Sequence, residues 1–98
     1  MNHALNIARV DLVSLRLVLT CVETGTLSNA AALLHLSVSG ASHRLRSLED
    51  ALGVQLFLRQ RWGLEPTPAG QLVAKQGQSI LALVRELSGQ LKDRTLQA

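Results

Sequence analysis

Residues 37–49 read SVSGASHRLRSLE, a run of serines, one glycine, one histidine and two arginines that follows directly on a leucine- and alanine-rich stretch. Placed on a helical wheel at about 100° per residue, Val38, Ala41, Leu45, Leu48 and Leu52 gather on one side, while Ser39, His43, Arg46, Ser47 and Asp50 gather on the other. The pattern predicts an amphipathic helix capped by Ser37 and stopped by Gly53. Its polar face begins with small side chains, so that end can approach a surface closely, and the positive end of the helix dipole favours an anion there. Arg46, a turn further along, can reach a phosphate or a base edge. The alternative is a merely solvated helix face, and the elements on either side decide between the two.

Upstream, LSNAAALLHL (residues 27–36) predicts an alanine-rich helix of about two turns, with Thr26 or Ser28 as its N-cap and its end near Leu34. Its small residues let another helix come close. His35, Leu36 and Ser37 then form a three-residue connection, the spacing of a helix-turn-helix. Before it, Leu12, Leu15, Leu19 and Val22 recur along one face of a first helix over about 11–24, with Asp11 to cap it and Gly25 to end it. Val13, Leu17, Thr20 and Thr24 form a second, weaker stripe on its far side.

Downstream, VQLFLR predicts a short strand from Val54 to Arg59, QRWG a turn in which Gly63 supplies a positive φ, and LEPT the returning strand. A basic β-hairpin after a helix-turn-helix is a wing. Thr67 followed by Pro68 starts a last helix that meets no further proline and extends to about Arg94, roughly 40 Å at 1.5 Å per residue. Along it Val73, Gln76 or Gly77, Ile80, Val84, Leu87, Leu91 and Arg94 keep a near-heptad spacing. Such a seam outruns its own domain, so the second stripe of helix one is expected to take its near half and a symmetric copy of the chain its far half. The alternative is a helix folded back wholly on its own core.

The expected architecture is therefore mainly α: a winged helix-turn-helix of three helices plus a two-stranded β-hairpin, followed by a long C-terminal linker or dimerisation helix. Its expected divisions are an N-terminal extension (1–10), the winged unit (11–66), the linker helix (67–94) and a tail (95–98).

The chain has 98 residues, 47% of them apolar, enough for one domain with a modest core. No window approaches the roughly 18 uncharged apolar residues of a membrane-spanning helix, and the N-terminus lacks the pattern of a secretory signal, so a cytoplasmic, non-membrane protein is expected. The single cysteine, Cys21, falls inside the leucine-rich first helix and is expected to be a small buried filler. Ten Lys and Arg against seven Asp and Glu give a formal charge of +3. Position matters more than the sum. Between His35 and Arg61 lie Arg44, Arg46, Arg59 and Arg61 against Glu49 and Asp50, which makes the middle of the chain basic.

Enzymatic chemistry finds no support in these residues. His3, His35 and His43 have no Cys, Asp or Glu at metal-ligand spacing, and no glycine-rich phosphate loop follows a strand. Ser42 and His43 are helix neighbours that point about 100° apart, so they do not form a nucleophile and base pair. No cofactor is expected.

The order of elements and the segments DLVSLRLVL, ETGTLSNAAALLHLS, the S-H-R-L-R-S-LE run of helix three, LGVQLF and TPAG together resemble the N-terminal DNA-binding domain of LysR-type transcriptional regulators, from Asp11 to about Leu91. The resemblance implies a bacterial winged helix-turn-helix that binds double-stranded promoter DNA in a sequence-specific way. It also implies a homodimer formed by the linker helix, with a tetramer open to a longer form. Family members usually continue into a domain that senses a small inducer, so an effector is expected only where such a domain is present.

Carried onto this sequence, the resemblance places Ser37, Val38, Ser39, Ser42, His43 and Arg46 at the DNA from the third helix, Arg59 and Arg61 from the wing, and Ser28 and Asn29 at the backbone from the start of helix two. Val38 stands where the family usually has a glutamine that reaches base edges, so only apolar contact, such as to a thymine methyl, is open to it. His43 stands where arginine is common. Trp62 replaces the basic residue typical of the wing tip, and is expected to pack against the domain rather than stack on a sugar. Arg44 points to the flank. Val73, Ile80, Val84, Leu87 and Leu91 are the dimerisation residues. Two alternatives are a ModE-like winged helix, disfavoured by the LHLS to LGVQLF spacing, and a winged-helix interaction module that keeps its dimer arm but no longer reads DNA.

Overall fold

α1 (Leu12–Thr24) begins where the Asp11 carboxylate accepts the Ser14 N–H at 2.7 Å, and it ends on Gly25 at φ 80°. This is a computed structural model, and it describes residues 5–93. α2 (Leu27–Leu33) starts at Thr26, whose hydroxyl accepts the Asn29 N–H. α3 (Val38–Leu52) starts at Ser37, which accepts the Gly40 N–H at 3.0 Å. Each helix thus opens with an oxygen side chain that takes up one of its orphan donors.

α2 and α3 end in the same hydrogen-bond pattern, with different residues at the left-handed position. After α3, Val54 N–H bonds Glu49 O and Gly53 N–H bonds Asp50 O, with Gly53 at φ 70°. After α2, Leu36 N–H bonds Ala31 O and His35 N–H bonds Ala32 O, with His35 at φ 58°. The turn between α2 and α3 is therefore closed by a histidine in the left-handed region, where a side chain costs energy that glycine avoids.

The core forms where all four helices and the hairpin meet. Leu17, Val18 and Cys21 of α1, Ala30 and Ala31 of α2, Ala41, Leu45 and Leu48 of α3, then Leu56, Phe57, Leu64 and Ala74 make one buried cluster. Full burial of each large side chain here contributes about 1.5–3 kcal/mol.

α1 buries a different face from the expected one. Leu12 and Val22 are exposed, and the core side is Ser14, Leu17, Val18 and Cys21, at i, i+3, i+4 and i+7. Of the second stripe, Leu17 and Thr20 are buried while Val13 is exposed. The helix is apolar nearly all round, so the choice of face falls to its packing partners. Leu15, from the first stripe, is the α1 residue that meets α4 at Gly77. On α3, Val38 also leaves the buried side: it is 50% exposed, because the first turn projects beyond the elements that cover Ala41 and Leu45.

The hairpin is shorter than the sequence pattern suggests. β1 (Phe57–Gln60) pairs antiparallel with β2 (Gly63–Pro66), Phe57 opposite Pro66 and Gln60 opposite Gly63. Val54 to Leu56 precede the strand because their backbone bonds elsewhere. Leu56 N–H and Phe57 N–H go to the Glu49 carboxylate at 2.8 and 3.4 Å, and Leu56 O accepts the Thr67 N–H. Gly63 has φ 145°, and Leu64 N–H bonds Gly25 O at 2.9 Å, which fixes the hairpin to the α1–α2 turn.

α4 (Pro68–Lys92) carries proline in its first turn after the Thr67 cap. Gly70, Ala74 and Gly77 are its buried residues, and Val73 packs beside them against the core. Beyond Leu81, every residue of the helix is exposed. The expected end at Arg94, the 95–98 tail and His3 lie outside the described residues.

Candidate nucleic-acid interface

Ser39, Ser42, His43 and Arg46 occupy i, i+3, i+4 and i+7 of α3, so they share one stripe about 10 Å long. Ser39, His43 and Arg46 are exposed and Ser42 is half-buried, opposite the core residues Ala41, Leu45 and Leu48. The stripe begins at the helix N-terminus, where Val38 is exposed and Ser37 Oγ, besides accepting from Gly40, lies 3.4 Å from Ser39 Oγ. Backbone N–H groups not used within the helix therefore converge with small hydroxyls at one end.

The cations divide into engaged and available groups. Arg44 bonds both Asp11 oxygens at 3.4 Å, tying α3 to the N-terminus of α1. Arg9, from the 3-10 turn Ile7–Arg9, donates to Ser47 Oγ at 3.0 Å and pairs with Asp50 at 3.5 Å. Arg46, Arg59 and Arg61 form no salt bridge among the described residues. Ser47 and Asp50, expected on the open face of α3, are thus held by an N-terminal strap. Nothing in the local sequence around Arg9 announces this contact, which joins residues 38 positions apart.

On the wing side, Ser28 of α2 and Arg59, Arg61 and Trp62 of the hairpin line a common hollow with Thr26 and Leu27. Asn29 is exposed one residue further on. His43 lines a separate hollow with Ala8, Arg9, Asp11 and Arg44. Trp62 does not pack against the domain: it is 74% exposed at the two-residue tip, since Gly63 turns the chain inward and leaves Arg61 and Trp62 projecting. Cys21 is fully buried, and burial pushes its thiol from 9.0 up to about 11, with Arg59 pulling weakly the other way. Among the described residues there is no grouping of three or more His, Cys, Asp or Glu that could hold a metal ion. Nor is any described helix long and apolar enough to cross a membrane.

Residues 12–71 match the family described as bacterial regulatory helix-turn-helix protein, lysR family. The chain belongs to the LysR family. It is 40% identical over 74 residues to the probable HTH-type transcriptional regulator LrrA of Synechococcus elongatus, which spans 76% of this chain and 25% of LrrA. Against the HTH-type transcriptional regulator GbpR of Azospirillum brasilense the identity is 38% over 86 residues, 88% of this chain and 25% of GbpR. The chain thus spans about a quarter of the length of these curated relatives. Its fold superposes on the CbnR DNA-binding domain in complex with DNA with a TM-score of 0.73 and 32% identity, covering 87% of this chain and 93% of that one. A second structure, the BenM DNA-binding domain with benA site 1 DNA, gives a TM-score of 0.79 at 27% identity, covering 84% and 95%. Both the winged helix-turn-helix and the long last helix are therefore LysR-family features of this chain.

Proposed function

We propose that this LysR-family chain binds double-stranded promoter DNA in a sequence-specific way, as a homodimer, and regulates transcription in the bacterial cytoplasm. The carrying observation is the outward-facing α3 stripe of exposed Ser39, His43 and Arg46 with half-buried Ser42, set at a helix N-terminus while the acid-paired cations are held elsewhere. The DNA-bound CbnR and BenM domains support the same reading through their shared fold.

In this reading α3 enters the major groove, with Val38, Ser39, Ser42 and Arg46 at base edges and Ser37 and His43 at phosphates. Arg59 and Arg61 neutralise phosphates beside the half-site, and Ser28 and Asn29 touch the backbone from α2. A catalytic role and a cofactor have no place in this scheme, and a small-molecule effector enters only through a further domain. Residues 11–66 are the reading unit and the helix that follows is the dimer arm. Val73, Ile80, Val84, Leu87 and Leu91 are expected along that arm's seam; Val73 packs against the chain's own core, and the outer four are exposed along the helix.

The test is selection of duplexes from a random pool by the purified chain at two salt concentrations, with sequencing of what is retained. An enriched motif with two half-sites, bound with a steep loss of affinity as salt rises, is the expected result. A folded chain that enriches nothing at either salt sinks the proposal.

A further inference from the structure

Trp62 is the chain's single tryptophan, and it stands 74% exposed on the tip of the hairpin. The single phenylalanine, Phe57, starts the same hairpin and is wholly buried. One strand end anchors the wing in the core while its tip holds an indole out in water.

The tip is held in place. Gln60 pairs with Gly63, Leu64 N–H bonds Gly25 O at 2.9 Å, and a β-carbon on Gly63 would collide with that same Gly25 carbonyl. Only Arg61 and Trp62 extend beyond this fixed base. Arg59 and Arg61 sit beside the indole, and neither is neutralised by a carboxylate among the described residues. Two available guanidinium groups select a polyanion, and the indole adds a flat apolar plate. The apolar part of DNA within reach of such a tip is the row of deoxyribose edges that line the minor groove.

An indole has width that a narrow groove does not accommodate. A-tracts have a narrow minor groove whose strong negative potential favours inserted arginine or lysine, whereas apolar side chains occupy grooves that are opened at flexible steps. We propose that Trp62, bracketed by Arg59 and Arg61, lies against the sugars of a widened minor groove beside the α3 half-site and makes the chain discriminate against A-tract flanks. This inference rests on the DNA-reading function proposed above.

The probes are two duplexes that carry the same half-sites enriched from the random pool. One has A-tract flanks, the other flanks rich in TA and CA steps. The chain and its W62F, W62A and W62R variants are titrated with both across a salt series, following anisotropy of labelled DNA and, for the parent chain, emission of its own tryptophan. The parent chain is expected to prefer the flexible flank by about tenfold, the scale of one aromatic stacking contact, with its emission shifting to the blue on binding. W62F retains the preference. W62A loses about tenfold on the flexible flank and no longer distinguishes the two, with an unchanged salt slope because no charge is removed. W62R reverses the preference and steepens the slope by about one counterion.

If W62A binds both duplexes as the parent does, and the emission does not move on binding, the inference is overturned while DNA reading stands. If no duplex is bound by any of the four proteins, the proposed function falls and this inference falls with it.

Discussion

A β-carbon on Gly70 would run into the carbonyl oxygen of Leu56, so Gly70→Ala pushes the start of α4 off the segment that leads into β1. Thr67 holds the same place from its other side, donating its N–H to Leu56 O at 2.9 Å and its hydroxyl to Gln55 O at 2.7 Å. Overpacking at such a contact costs about 1–3 kcal/mol, more than the helix gains from alanine. Gly89, on the same helix, has nothing within 4 Å of its would-be β-carbon, so Gly89→Ala stabilises by about 0.5–1 kcal/mol through helix propensity alone. Urea unfolding of the two variants checks this: opposite signs are expected from the same chemical change. Cys21 supplies a pH prediction at the same scale. Its thiol titrates near 9.0 when unfolded and about 11 when folded, because burial disfavours the thiolate. Its contribution is fully present below pH 9 and is lost as pH rises from about 9 towards about 11. At pH 8 a thiol reagent is therefore expected to label Cys21 only as fast as the fold opens, and prompt labelling of the native chain would contradict the burial.

Between elements, the carboxylate of Glu49 joins α3 to the wing. It accepts Leu56 N–H at 2.8 Å and Phe57 N–H at 3.4 Å, donors that have no strand partner at that point. Glu49→Ala leaves those part-buried groups unsatisfied, at a cost of about 1–3 kcal/mol, and Glu49→Gln, which keeps an acceptor oxygen, recovers much of it. The loss is expected first in hydrogen exchange at Leu56 and Phe57, and only then in global unfolding. This contact also marks how far the sequence could be read. Caps at Asp11, Ser37 and Thr67 and stops at Gly25 and Gly53 are local signals, and they give the helices nearly their full extent. The side chains of Val54, Gln55 and Leu56 predict a strand that starts three residues before the observed one, while a carboxylate seven residues upstream takes the Leu56 N–H. α1 misled for a related reason: apolar residues on several faces leave the buried face to be chosen by α2, α3 and α4 together. The exposure of Trp62 was hidden too, because the tip geometry depends on Gly63 meeting Gly25 across 38 residues, which composition does not encode.

The whole molecule measures 52 Å along its longest axis, and the outer part of α4 lies beyond what its own core covers. There Ile80, Leu83, Val84, Leu87 and Leu91 form one stripe, each 38–63% exposed. The spacing i, i+3, i+4, i+7 and i+11 keeps them on one side of the helix, so a second copy can cover all five together. Gly89 lies on the opposite side of that helix, so Gly89→Ala leaves the stripe intact. Leu87→Glu puts a charge at the centre of the stripe and touches none of the core residues. The variant is expected to keep its helical circular dichroism and its cooperative unfolding, and to sediment as a monomer at concentrations where the parent chain is a dimer. Its DNA affinity is then expected to fall by about 10²–10⁴-fold, since two linked readers bind their half-sites with a high effective concentration that a monomer lacks. The salt slope should fall with it, to about half, because each copy carries its own Arg59 and Arg61 to the phosphates. A Leu87→Glu chain that stays dimeric with unchanged affinity would show that the exposed half of α4 is not the dimer arm.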